Sequence, residues 1–216
     1  MPAFYINNDS DFENIFNEQL ERLEVDYIDI LLFHGLRKEH FDEKFEKYKL
    51  YEKALNLRTL GKIKHLGFSS HDTPENVIEL ISTNLFEVIL LQYNFCNSSY
   101  EKAIAHAAKN GMGVCVMGPL MGGRLAGQVK GNLKKYLSKG RTSFADLGLT
   151  FVWANENVHV ALSGMCDDYM LLENILLAIN NSLSLSEEEF IRIERINSEF
   201  TRLAEIKCTG CGYCSP

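Results

Sequence analysis

Five short apolar runs, each followed by a longer amphipathic segment, constrain this chain more than any other feature. They read "YIDILLFH", "IKHLGFSSH", "FEVILLQYN", "GVCVMGPL" and "VHVALSGM". Each is almost continuous in apolar residues, as in strands buried on both faces, and parallel pairing between covering helices provides that burial. The first strand is expected over Tyr27–Phe33. Ser10 and Glu13 predict a capping box ahead of a helix with Phe12, Ile15, Phe16, Leu20 and Leu23 on one face. "FDEKFEKYKLYEKALNL" predicts one charged helix that stops near Gly61. Thr73 with Pro74 opens the next, Ser98 with Glu101 the one after, and Gly111 ends that one. A Gly-rich loop precedes a helix from about Ser143, "DDYMLLENILLAIN" follows the fifth run, and Ser186 with Glu189 opens a last helix.

Two architectures fit this alternation: an open doubly wound sheet and a (β/α) barrel. The open sheet would be favoured by a G-x-G-x-x-G fingerprint, but the glycines of "GPLMGGRLAG" have other spacings. The strand ends favour the barrel. Each run finishes in small or polar residues: His34; Ser69, Ser70 and His71; Gln92, Tyr93 and Asn94; Gly118 and Pro119; Ser163 and Gly164. In a barrel such ends gather at one mouth, where active sites are built. Five strands cannot close an eight-stranded barrel. Either N-terminal strands are absent, or an open sheet covers its edges by oligomerisation.

Composition narrows the partners. A net charge of −7 with no basic stripe argues against nucleic acid. No uncharged apolar run reaches the ~20 residues of a membrane helix, and no signal peptide is evident, so a cytoplasmic protein without membrane contact is expected. Cys96, Cys115 and Cys166 lie in apolar surroundings and are expected to be reduced and buried. "MGGRLAG" offers Arg124 either to an anion or merely to solvent.

The sequence finishes on "CTGCGYCSP", with Cys208, Cys211 and Cys214 at C-x2-C-x2-C spacing. Thiolates suit iron–sulfur clusters and zinc alike, and Gly210 and Gly212 allow the tight turns that wrapping a cluster needs. Zinc ribbons pair two distant C-x2-C units, and a second unit is missing here. Unligated thiols are the third reading.

"NEQLERLEVDYIDILLFHGL", "LRTLGKIKHLGFSSHD", "QYNF", "GVCVMGPLMGGRLA", "LSGM" and the cysteine run resemble the aldo/keto reductase family, in its bacterial branch with a ferredoxin-like tail. The resemblance implies a partial (β/α)8 TIM barrel of about five βα units over residues 1–183. The N-terminal strands would be absent, and 184–216 would form a C-terminal helix and a cysteine-rich tail. It also implies hydride transfer from NADPH or NADH to a small-molecule carbonyl substrate, with His34 orienting the substrate. The family's Asp, Tyr and Lys match no position here, and Tyr93 and Tyr100 follow a different strand. The isolated chain is therefore expected to be inactive.

By the same resemblance Ser69 and Ser70 face the nicotinamide amide, and Gln92, Gly118, Pro119, Leu120, Gly164 and Met165 contact the nucleotide. Glu173 and Asn174 serve its adenine end. Leu90, Met117 and Met170 replace a glutamine, a stacking aromatic and a 2′-phosphate-binding base, so NADP preference is not supported. The tail implies a [4Fe–4S] cluster on Cys208, Cys211 and Cys214, with a fourth ligand outside this sequence and an electron-transfer partner. Two further readings stay open: a non-catalytic partial barrel that carries the cluster, and an unrelated barrel enzyme acting on a phosphorylated metabolite.

Overall fold

The computed structural model describes residues 1–123, 125, 135–137, 140–141, 143–180 and 184–203. Arg124, Cys208, Cys211 and Cys214 lie outside the described residues. The apolar runs become β1 (Ile28–Phe33), β2 (Ile63–Ser70), β3 (Val88–Gln92), β4 (Gly113–Met117) and β5 (Val160–Leu162). They form one sheet in the order β1-β2-β3-β4-β5. β1 runs parallel to β2, with Ile28 opposite Ile63 and Phe33 opposite Phe68, and β2 runs parallel to β3, with Ser70 opposite Leu91. Sequential order and parallel pairing are what repeated βα units produce. Among the described residues, no helix is long and apolar enough to cross a membrane.

The helices are α1 (Asp11–Leu23), α2 (Lys38–Lys44), α3 (Leu50–Thr59), α4 (Pro74–Ser82), α5 (Glu101–Lys109), α6 (Phe144–Trp153), α7 (Asp168–Asn180) and α8 (Glu187–Leu203). Thr73 caps α4 by accepting from the Asn76 amide at 3.3 Å, with Pro74 in the first turn. Ser143 caps α6 in the same way, from the Asp146 amide at 3.0 Å. Ser186 and Glu189 form the reciprocal box at α8: the Ser186 amide donates to Glu189 Oε2 at 2.9 Å, and the Glu189 amide to Ser186 Oγ at 3.3 Å.

Other expectations are corrected. The single charged helix is two, because Lys49 takes a left-handed conformation (φ 49°) between α2 and α3. At α1 the cap is Asn8: its Oδ1 accepts from the Ser10 and Asp11 amides at 3.0 and 3.1 Å, leaving Ser10 without a capping bond. α5 starts after Tyr100, so Ser98 is not its N-cap. Cys96 and Cys115 are half-buried, but Cys166 is exposed, its Sγ 3.6 Å from Met170 Sδ.

The chain divides into two compact units: Met1–Leu91 with Ser99–Cys115, and Gln92–Ser98 with the described residues of Val116–Pro216. The first is centred on aromatic packing. Phe33 meets Phe45 at 4.8 Å between ring centroids and Phe12 at 6.3 Å, and Phe68 meets Phe86 at 4.8 Å. Gly67 is needed for the close approach of β2 to β3: a Cβ there would sit 2.3 Å from the Val88 carbonyl oxygen.

The second unit packs Phe95, Leu120, Leu125, Phe144, Leu147 and Ile193 into a core. Beside it lies a buried ionic lock. Arg141 Nε donates to Glu189 Oε1 at 2.6 Å, while Nη1 donates to Asp146 Oδ1 at 3.0 Å and to Thr150 Oγ1 at 2.8 Å. One guanidinium thereby ties α6 to the capping residue of α8. This unit also exposes apolar surface, with Leu162 on β5 at 48% and Leu172 and Ile179 on α7 at 57% and 73%. For a face of aliphatic residues that is high.

Candidate functional site

In the first unit the turns that follow β1 and β2 are stitched together. The Leu36 amide donates to the Ser69 carbonyl at 2.8 Å, and the Gly35 amide to Ser69 Oγ at 3.0 Å. Ser69 Oγ lies 3.2 Å from His34 Nδ1, so the catalytic candidate and one nicotinamide-side candidate meet at the carboxyl ends of neighbouring parallel strands. The Gly35 amide occupies a lone pair of Ser69. One lone pair and the hydroxyl proton remain on Ser69 Oγ, so this contact orients the ring whichever ring nitrogen carries the proton. Burial, followed by a nearby positive charge, holds the His34 pKa below the ordinary imidazole value, so it is neutral at pH 7.

Ser70 is placed differently. It is fully buried, its hydroxyl donates to the Leu36 carbonyl at 2.7 Å, and it accepts from the Asp72 amide at 3.1 Å. Its one proton is used to bond the turn after β2 to the turn after β1.

Asp72, which the sequence reading passed over, completes the seam. Oδ2 accepts from the Lys38 amide at 2.8 Å, while Oδ1 accepts from the Thr73 amide at 2.8 Å and from Asn76 Nδ2 at 3.0 Å. Burial pushes this carboxyl up, but the three donors together outweigh it and the pKa is lowered. Only a D-T-P helix start hints at this in the sequence, since Lys38 is distant along the chain.

Both tyrosines after β3 serve the packing. Tyr100 donates its hydroxyl to the Asp72 carbonyl, and burial raises its pKa. Tyr93 stacks on Phe151 at 5.3 Å and its hydroxyl accepts from Asn155 Nδ2 at 3.2 Å.

In the second unit Asn94 organises the turn after β3. Its Nδ2 donates to the Gly118 carbonyl at 2.8 Å, and its Oδ1 accepts from the Cys96 and Asn97 amides at 3.0 and 2.9 Å. Gln92 is half-buried, and its Cγ would lie 3.8 Å from a Cβ at Gly118, whose φ is 63°. Pro119 and Leu120 are buried, and Leu120 joins the core. Gly122 and Gly123 continue in left-handed conformations (φ 61° and 88°), which lets bare backbone face outward.

The loop before α7 is open. Gly164 has nothing within 4 Å of where a Cβ would be, Met165 is 41% exposed, and Asn174 Nδ2 donates to Ser163 Oγ at 2.8 Å. Glu173 is half-buried beside it in sequence. Asp167 Oδ1 accepts from the Met170 amide at 2.7 Å, so a carboxylate already caps this helix. The described residues fit a nicotinamide nucleotide in part. Ser69 and the glycine-lined loops keep polar groups and open backbone, whereas Ser70 spends its proton internally and no basic side chain stands at Met170. Among the described residues, no group of three His, Cys, Asp or Glu side chains could hold a metal ion.

Residues 6–198 match the model of the aldo/keto reductase family. No curated protein matches the chain. Among solved structures, the aldo-keto reductase AKR11C1 from Bacillus halodurans superimposes with a TM-score of 0.71 at 21% identity, over 88% of this chain and 67% of that one. The glycerol dehydrogenase AKR11B4 from Gluconobacter oxydans gives 0.68 at 19% identity, over 89% and 65%. The thermostable aldo-keto reductase Tm1743, in complex with the inhibitor epalrestat, gives 0.65 at 22% identity, over 88% and 67%. The chain thus spans about two thirds of the length of these proteins. At such identities the structural likeness speaks for the fold, an α/β architecture on a parallel five-stranded sheet consistent with part of a TIM barrel. Because the family model covers most of the sequence, the chain belongs to the aldo/keto reductase family.

Proposed function

We propose that this chain is an oxidoreductase of the aldo/keto reductase type, which uses NADPH or NADH to reduce a small carbonyl compound. The observation that carries this reading is the 3.2 Å pairing of His34 with Ser69, in a sequence that matches the family over residues 6–198. The bound nicotinamide supplies the hydride. In this reading His34, neutral and oriented by Ser69, carries its proton on Nε2 and offers it to the carbonyl oxygen as negative charge develops there. Ser69 keeps that ring oriented, and Ser70 holds the turn beneath it through Leu36. In the second unit the same reading gives nucleotide contacts to Gln92, Gly118, Pro119, Leu120, Gly164, Met165, Glu173 and Asn174. The open space at Gly164 and the positive-φ glycines of the 118–123 loop support it.

The finer reading is a partial barrel whose N-terminal strands, with the family's Asp, Tyr and Lys, are not represented in these 216 residues. The apolar exposure of β5 and α7, and the two-thirds coverage of the similar structures, support it. A further polypeptide segment or a second copy would cover those edges. Tyr93 and Tyr100 are committed to packing bonds and neither takes the place of the family's Tyr, so these 216 residues alone are expected not to turn over carbonyls. The cysteine run would hold a [4Fe–4S] cluster through Cys208, Cys211 and Cys214, tested by iron and sulfide content with the absorption spectrum. The function itself is tested by fluorescence titration with NADH and NADPH. Saturable binding is expected, and its absence for both nucleotides overturns the proposal.

A further inference from the structure

The second unit holds a cavity that the proposed reaction does not use. Its volume is about 460 Å³, and Lys135, Tyr136, Glu188, Ile191, Arg192 and Arg195 line it. That volume falls within the roughly 300–1,000 Å³ of small-molecule sites. No residue assigned above to the nucleotide is among these six. Glu188, Ile191, Arg192 and Arg195 stand at i, i+3, i+4 and i+7 of α8, so one helix face supplies one wall. Lys135 and Tyr136, from the segment before α6, supply the other. Arg192 fastens the two walls together: its Nη1 donates to the Leu137 carbonyl at 3.4 Å, and its Nε and Nη2 donate to Glu188 Oε1 at 3.2 and 2.6 Å.

Arg192 thereby balances Glu188, the one carboxylate among the described lining residues. Lys135 and Arg195 are left over. Lys135 Nζ lies 5.0 Å from the centre of the Tyr136 ring, and among the described residues neither Lys135 nor Arg195 has a carboxylate within 4 Å. Two positive charges are thus unbalanced in one concave site. The excess is local, because residues 118–145 contain six basic residues and no Asp or Glu in a chain of net charge −7. An anion with several oxygens offsets such a pair most directly. Lysine meets it as a point charge and arginine as a planar fork of donors, a combination that suits phosphate. Tyr136 and Ile191 add apolar surface for an organic body.

We propose that this cavity binds a small phosphorylated ligand, its phosphate held by Lys135 and Arg195 and its body resting against Tyr136 and Ile191. The site goes beyond the reductase reading and shares no residue with it, so failure of nucleotide binding leaves it standing. The test is a titration of the 216-residue protein with inorganic phosphate, and separately with phenyl phosphate, at constant ionic strength. Calorimetry gives the affinity, and NMR follows the Ile191 methyl and Arg195 Nε–H resonances.

Saturable binding with shifts at Ile191 and Arg195 is expected for both probes, and tighter binding for phenyl phosphate. Lys135→Gln and Arg195→Gln are each expected to weaken it by about tenfold, the size of one charge-assisted hydrogen bond. Arg22→Gln, on an exposed arginine of α1 paired with Glu18, is expected to leave it unchanged. Neither Lys135 nor Arg195 has a hydrogen bond or ion pair from its side chain among the described residues, so both variants are expected to fold, which circular dichroism checks. The resonance shifts of the unaltered protein locate the site independently of either variant. Absence of saturable binding, shifts that spare Ile191 and Arg195, or undiminished binding in both variants overturns the proposal. Phenyl phosphate that binds no tighter than inorganic phosphate reduces the cavity to a site for the free ion and overturns the organic ligand.

Discussion

The strand-end turns of the first unit and the loops of the second are built on opposite terms. After β1 and β2, the Gly35, Leu36 and Lys38 amides and the Ser69 and Ser70 hydroxyls bond one turn to the other, so His34 is held by Ser69 and Ser69 by Gly35. After β4 the loop relies on glycines with positive φ, after β5 Gly164 stands in open surroundings, and β5 and α7 leave aliphatic side chains uncovered. Local hydrogen bonding fixes a small ring to within the tolerance that positioning a carbonyl demands. Bare backbone and uncovered aliphatic surface instead leave room for larger partners. The second unit compensates with one buried ionic lock rather than with a stitched rim.

That contrast is most sharply broken at Arg141. Arg141→Met leaves the buried Asp146 and Glu189 carboxylates without their cation, and about 3–5 kcal/mol of stability is expected to be lost in urea unfolding. Replacing all three groups by apolar residues should recover most of it. A loss below 1 kcal/mol for the single change would show that the lock is dispensable.

Gly67→Ala probes the first unit, where the added Cβ meets the Val88 carbonyl and the Leu32 side chain. A cost of about 1–3 kcal/mol is expected from the same measurement, with the β2–β3 amides exchanging faster with solvent. Thr73→Ala and Ser186→Ala remove one cap from each unit and should each cost about 1 kcal/mol.

The smallest effect is titration. His34 and His71 both have lowered pKa values, so the unfolded chain takes up protons first as pH falls. Their contribution to stability is intact above pH ~6.5 and is lost as pH falls through the folded-state values. NMR titration should place both midpoints below 6.5, and a midpoint above it for His34 would remove the basis for its neutral role.

Much of this was legible from the sequence, and the exceptions have physical causes. The five strands were visible because burial on both faces makes them continuous apolar runs. The caps at Thr73 and Ser186 were visible because their partners lie three residues away, whereas Ser143 was legible only as the approximate start of a helix. The break at Lys49 was missed because a left-handed lysine has no compositional mark. At α1, two side chains could cap, Asn8 and Ser10, and only the backbone conformation chooses between them. The Arg141 lock was hidden by sequence distance, since Glu189 lies 48 positions on. At the candidate site, His34 and Ser69 could be named from strand ends. The commitment of Ser70 to Leu36 and the role of Asp72 depend on which turns adjoin across the sheet.

The most direct test follows the His34 and His71 resonances while NADPH, and then NADH, is added to the intact chain. The account predicts a saturable change at His34 for at least one nucleotide, diminished by Ser69→Ala. Nucleotide binding that leaves His34 unmoved, or no binding of either nucleotide, would contradict it.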